Sequence, residues 1–162
     1  MIGKMAVGFL AMGLLLFSGC GTTRDEQKHG AIHVINVLDV QYYQDAHISG
    51  SENVPFDNFE QDAASKFEVG SWLKNDRFVI YCANYQCSSS CEAAKILRKL
   101  GVTDVHVYEG GMAEWKHKGY ACVGSATEGY LNIVGEPSGV SCDGIGLVTA
   151  EQLKEWLSGK SH

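Results

Sequence analysis

The sequence predicts an α/β fold, a parallel sheet flanked by helices on both faces, with an atypical C-terminal extension. Three observations carry this. Short β-branched, apolar runs alternate with stretches of helical periodicity, the pattern of strands joined by crossover helices. The chain has 162 residues and is 45% hydrophobic, enough for one domain with a real core. One apolar run, FVIY, ends on a cysteine that opens a polar loop ahead of a helix, and ligands of parallel sheets sit outside such strand ends.

The elements follow in order. Residues 1–19 hold one charge, Lys4, then an apolar run over 5–17, then Ser18 and Gly19 before Cys20. That is the layout of a secretory signal, too short for a stable membrane span. Its ending, FSGC, resembles a bacterial lipobox, which implies a lipoprotein whose Cys20 is lipidated (palmitate among the acyl chains) and anchored in the cell envelope, facing the periplasm. Gly21 after the cysteine leans toward the outer membrane. The alternatives are an ordinary signal peptide or an uncleaved anchor. Residues 20–30 are polar, lack periodicity and read as a flexible tether. Residues 32–40 (IHVINVLDV) read as a buried strand. Asp57 and Glu60 form a D-x-x-E capping box ahead of a helical stripe of Phe59, Ala63 and Phe67. Residues 78–81 (FVIY) and 105–108 (VHVY) are further strands. Between them Ser89 or Ser90 caps a helix with Ala93, Ala94, Ile96, Leu97 and Leu100 inward and Gly101 as its stop. A last helix of the domain covers 112–117 and closes at Gly119.

Chemistry concentrates in Cys82, Cys87 and Cys91, spaced C-x4-C-x3-C between strand and helix. A loop at a helix start presents backbone N–H groups and the positive end of the helix dipole, which favour a thiolate or an anionic persulfide at Cys82. The alternative is a small buried thiol ending a strand.

Four ordered motifs resemble the rhodanese-like sulfurtransferase domain over residues 31–120. They are VLDV with Asp39, followed by Tyr42 or Tyr43; HISGSENVP from His47, with Ala46 where the family has a glycine; VIYC followed by a loop and S-x-x-x-A-A-K-I-L; and EGGMAEWKHKGY. The resemblance implies that Cys82 takes a sulfane sulfur from a thiosulfate or polysulfide type donor, holds it as a persulfide and passes it to a thiol or cyanide. Ala83, Asn84, Tyr85, Gln86, Ser88 and Ser89 then surround the substrate. Asp39 orders the loop, and His47 makes a structural hydrogen bond or acts as acid or base. Two departures stand out: the loop is about two residues longer than the family's, and residues 83–90 carry no charge to grip an anion. Relatives that act on phosphate or arsenate need an arginine after the cysteine, and none is present.

Cys87 is open to three readings: a resolving thiol, an alternative persulfide carrier, or half of a structural disulfide. A zinc or iron–sulfur site would use an uncommon spacing, so neither metal nor cofactor is expected. Beside the enzyme stands a second class of function, a non-catalytic or thiol-redox and sulfur-carrier module using Cys82 and Cys87 with a protein partner.

The tail, residues 121–162, holds Cys122 and Cys142, paired here as the expected disulfide, and ends in LVTAEQLKEWLSGK. That helix, capped at Thr149 with Leu153, Trp156 and Leu157 inward, resembles the one that normally opens the family's domain and suggests a permuted arrangement. Removing the signal takes Lys4 from the 13 basic residues and none from the 19 acidic ones, leaving a net charge of −7. With no basic stripe, that balance excludes nucleic acid as a partner.

Overall fold

The computed structural model describes residues 30–137 and 142–159. The expected signal peptide, the lipid anchor at Cys20 and the tether up to residue 29 lie outside them.

Buried β-branched residues build strand β1 (Ile32–Asn36), which leads through helix α1 (Val40–Asp45) to the short strands β2 (His47–Ile48) and β3 (Glu52–Asn53). A 3-10 turn (Phe56–Asn58) and helix α2 (Phe59–Glu68) precede strand β4 (Arg77–Tyr81). Helix α3 (Ser89–Lys99), strand β5 (Asp104–Tyr108) and helix α4 (Gly111–His117) follow. The remaining elements are β6 (Cys122–Val123), a 3-10 turn (Gly129–Asn132), β7 (Gly146–Leu147) and α5 (Ala150–Leu157). The main sheet has the order β3-β1-β4-β5-β7 and is parallel throughout, while β2 and β6 form a separate antiparallel pair.

Alternation along β4 divides the core in two. Phe78 and Ile80 face a cluster with Phe59, Trp72, Ala93 and Leu97; Val79 and Tyr81 face the other way, onto Met112, Trp115 and Leu153. Trp72 is 1% exposed and packs edge-on against Phe78 at 5.0 Å and Phe67 at 5.6 Å. Trp72→Ala removes that whole ring, so it should cost about 3–5 kcal/mol in urea unfolding, with little change in the slope of the transition.

Several local expectations need correction. The first strand stops at Asn36, not residue 40, because the buried Asn36 side chain takes the Leu38 amide (2.9 Å) and turns the chain into α1. No capping box forms at Asp57 and Glu60: the chain makes a 3-10 turn there, and α2 starts after Asn58 without a side-chain cap. Neither Ser89 nor Ser90 caps α3; its N-cap is Ser88, also without a side-chain bond. Thr149, by contrast, closes a reciprocal capping box with Gln152 at the start of α5.

The tail is part of the sheet. Strand β7 adds parallel to β5, Leu153 of α5 is fully buried on the second face, and Leu157 is exposed rather than packed inward. Cys142 and Ile145 enter the first face. The sheet therefore separates Cys142 from Cys122, which packs on the second face, and the expected Cys122–Cys142 disulfide does not form. Cys142 bonds Cys91 instead, and Cys122 is a free thiol.

Asp45 at the end of α1 fastens the segment after β6. Its carboxylate accepts bonds from Ser125 Oγ, Thr127 N and Oγ1, and Glu128 N, at 2.7–3.0 Å. Those bonds, the backbone amides of Thr127 and Glu128 foremost, hold its pKa far below the ordinary 3.8. A depressed native pKa contributes stability that is complete above the ordinary value and is lost as pH falls from there through the lowered native value. Thermal stability should accordingly drop on acidification from about pH 4.5 downward, and Asp45→Asn should flatten part of that acid limb. An unchanged acid limb in the variant would refute this role.

Candidate functional site

The three central strands end level, with Tyr81 of β4 registered against Asn36 of β1 and Tyr108 of β5. Cys82 is the next residue, at the carboxyl edge of the middle strand, and is 1% exposed. Two amides at the N-terminus of α4 pin its backbone: Met112 N donates to Cys82 O at 3.0 Å, and Ala113 N to Ala83 O at 2.9 Å. That approach requires Gly111. Its φ is +60°, and a Cβ there would lie 2.6 Å from both Cys82 O and the Ala83 carbonyl carbon.

Residues 83–88 form a tight turn organised by Asn84, which is buried. Its side-chain Oδ1 accepts from Gln86 N, and its carbonyl accepts from Cys87 N, both at 3.0 Å. Two loop amides expected to cradle an anion are thus turned inward to hold the turn. This fold-back solves the reach of the long loop. Cys87 returns to Cys82 and bonds it, with Cα atoms 6.4 Å apart. One half of this disulfide, Cys82, is buried, and the other, Cys87, is half-buried.

A cavity of about 310 Å³ opens over the loop, lined among others by Tyr85, Gln86, Cys87, Ser88, Cys91 and Cys142. Of the residues expected around a substrate, Tyr85, Gln86 and Ser88 meet here. Ala83 faces a different cavity, with Leu38, Tyr42 and Tyr130, while Asn84 and Ser89 line neither. The sequence reading missed the charges that structure adds: Glu92 and Lys95 from α3, Glu109 after β5, and Asp143 from the tail. Lys95 bonds Glu92 and Asp143, each at 2.8 Å, and these partners raise its pKa to about 12. The signal was present for Lys95, which lies four residues after Cys91 and hence on the same helix face. Three carboxylates against one ammonium make the rim acidic. Burial, with Glu114 nearby, pushes the Tyr85 phenol up to about 12, so it stays protonated at neutral pH.

The flanking residues hold the frame. His47 Nδ1 bonds the Tyr43 carbonyl at 2.8 Å, and its ring stacks on Tyr43 with centroids 3.9 Å apart. The Asp39 carbonyl accepts from Tyr42 N and Tyr43 N as α1 begins, and its side chain makes no capping bond. His106 pairs with Asp104, Trp115 is buried with Nε1 donating to Ala121 O, and His117 is exposed. Among the described residues there is no cluster of His, Cys, Asp or Glu that could hold a metal ion.

A parallel α/β domain with a cysteine at the end of its middle strand, held by the following helix turn, is the class these elements define. The family model for the rhodanese-like domain matches residues 22–118. The chain belongs to that family, and its domain is a sulfur-related, sulfurtransferase-type module. Solved structures agree. An X-ray structure of a rhodanese-like domain from Anabaena sp. is 28% identical with a TM-score of 0.50, the match covering 57% of this chain and 87% of that one. A solution NMR structure of the rhodanese-like domain from Anabaena sp. is 27% identical with a TM-score of 0.51, covering 69% and 75%. A protein from Bacillus halodurans shares the fold at 23% identity and a TM-score of 0.52; the match covers 59% of this chain and 66% of that one. No curated protein matches the chain.

Proposed function

We propose that the domain moves sulfane sulfur through a persulfide on Cys82, and that Cys87 resolves this persulfide. The observation that carries the reading is the bond between Cys82, at the end of the middle strand, and Cys87 in the same loop. With the loop reduced, the Cys82 thiolate attacks the outer sulfur of a polysulfide or persulfide donor. The donor's S–S bond breaks and the remainder leaves as a thiolate. Two fates follow. An acceptor thiolate (or cyanide, giving thiocyanate) takes the terminal sulfur and returns Cys82 as a thiolate. Alternatively, the Cys87 thiolate attacks Cys82 Sγ, hydrosulfide leaves, and the disulfide forms; a dithiol reductant then restores the loop with two electrons. Such a reductant would attack Cys87, the more exposed residue of the pair, and Cys82 would be the leaving thiolate.

The acidic rim disfavours small dianions, thiosulfate and inorganic polysulfide alike, and so favours a protein-bound persulfide as donor. It also supports a second reading, a thiol-redox or sulfur-carrier module that meets a protein partner and turns over small donors slowly. Two disulfides among the described residues suit an oxidising compartment and support an extracytoplasmic placement.

The test is mass spectrometry of the reduced protein after exposure to polysulfide and to thiosulfate. A gain of one sulfur atom on Cys82 with polysulfide is expected, decaying as the disulfide and free sulfide appear together. Oxidation of the loop without any sulfur-bearing species would leave only the redox reading.

A further inference from the structure

Cys91 and Cys142 take no part in the reaction above, yet they share its cavity. Cys87, Cys91 and Cys142 all line the space of about 310 Å³. Cys82 and Cys142 belong to one buried cluster, against which Cys87 and Cys91 pack. Cys91 sits in the first turn of α3 with its Cα 5.6 Å from that of Cys142, and Cys87 lies two residues ahead of the helix. Four sulfurs thus run from β4 across the helix start to the tail. Contacts besides the disulfide also hold the second pair. Lys95, one turn beyond Cys91, holds Asp143 at 2.8 Å, while Cys142 and Ile145 are buried in the core. Breaking Cys91–Cys142 therefore leaves the Cys142 thiol in the cavity, at high effective concentration.

We propose that Cys91–Cys142 is an exchangeable disulfide that oxidises the loop dithiol from within the molecule. The proposal rests on the loop reading only in taking Cys82 and Cys87 as a redox pair. The Cys87 thiolate attacks Cys91 Sγ, the Cys87–Cys91 bond forms, and Cys142 leaves as a thiolate. The Cys82 thiolate then attacks Cys87 Sγ, the Cys82–Cys87 bond forms, and Cys91 leaves as a thiolate. Two electrons pass from the loop pair to the second pair, and the two protons of the loop thiols end on Cys91 and Cys142. No outside oxidant is consumed. A molecule holding a single disulfide distributes it between the pairs, and Cys82 cannot accept sulfur while the loop pair holds it.

The test uses the full chain, purified without reductant, alkylated in denaturant and mapped by peptide. In Cys82→Ser the exchange stops at its first step, so Cys87 and Cys91 should be joined and the alkylation label should move onto Cys142. In the Cys82→Ser/Cys87→Ser double variant Cys142 should return to Cys91 and lose the label. A Cys142 that stays bonded to Cys91 in Cys82→Ser, beside a labelled Cys87, overturns the proposal. Because a core substitution can disturb folding, the wild-type protein is also given one equivalent of a dithiol reductant and sampled over time. Label that redistributes between the two pairs supports exchange; label fixed on whichever pair was first reduced overturns it. Failure of sulfur to load onto Cys82 while label still redistributes would remove the persulfide reading and leave the exchange standing.

Discussion

Cys82→Ser is expected to abolish both persulfide formation and sulfur transfer, the largest functional effect of any single substitution here. Cys82 is where the strand ends and where two α4 amides fix the backbone. A serine hydroxyl occupies nearly the same space but is not ionised at neutral pH and forms no stable bond to a sulfane sulfur. Cys87→Ser should differ in kind. Its Cys82 persulfide forms but is longer-lived and more dependent on added thiol, because the internal route to the disulfide is gone. Once the loop has been reduced, Cys91→Ser should leave loading of Cys82 intact. Single-turnover labelling of the three variants with a polysulfide separates these outcomes. A persulfide persisting on Cys87 in Cys82→Ser would reverse the assignment, and unchanged transfer in both loop variants would remove the loop from the mechanism.

The parts of the fold that could be read from the chain are those in which periodicity and burial agree. Residues 78–81 and 105–108 are short β-branched runs that the structure buries almost completely, and Phe59 with Ala63, or Ala93, Ala94 and Leu97, fall on the inner faces of their helices. Thr149 and Gln152 signal a helix start by local chemistry alone, and the cap forms. Asp57 and Glu60 carry a similar signal and fail, because Phe56 and Phe59 pack inward and a 3-10 turn sets the entry instead. The end of β1 was hidden for a related reason: a buried asparagine that terminates a strand looks, in sequence, like one more residue of an apolar run.

The candidate site was legible in its sulfurs and not in its surroundings. Cys82 and Cys87 are local, five residues apart. What lies over them comes from far along the chain. Asp143 and Cys142 reach α3 only because β7 adds to the sheet beside β5, and no local pattern marks that long-range pairing. The mistaken Cys122–Cys142 pairing has the same origin: two cysteines in one tail look like partners until the sheet is placed between them. Acidity at the rim follows too, since it is assembled from three separate segments.

Gly111→Ala should damage stability and function together, through the one place where helix and loop backbones touch. A methyl group at residue 111 would meet the Cys82 and Ala83 carbonyl groups at 2.6–2.7 Å, a distance at which backbone must move. The residue also holds φ at +60°, a conformation costing a non-glycine residue roughly 1–2 kcal/mol by itself. Gly119 isolates that second contribution, since its φ is +69° and nothing lies within 4 Å of a Cβ there. Gly119→Ala should therefore cost on the order of 1 kcal/mol. Gly111→Ala should cost on the order of 3 kcal/mol, lowering Tm by roughly 10 °C. The excess measures the clash, and relieving it pulls Met112 N and Ala113 N away from the carbonyls they hold at 3.0 and 2.9 Å. Cys82 then loses its fixed position at the strand end, so sulfur loading in Gly111→Ala should fall well below that of Gly119→Ala even at temperatures where both are folded. Equal losses of stability in the two variants, or full sulfur loading in Gly111→Ala, would show that the loop does not depend on this contact.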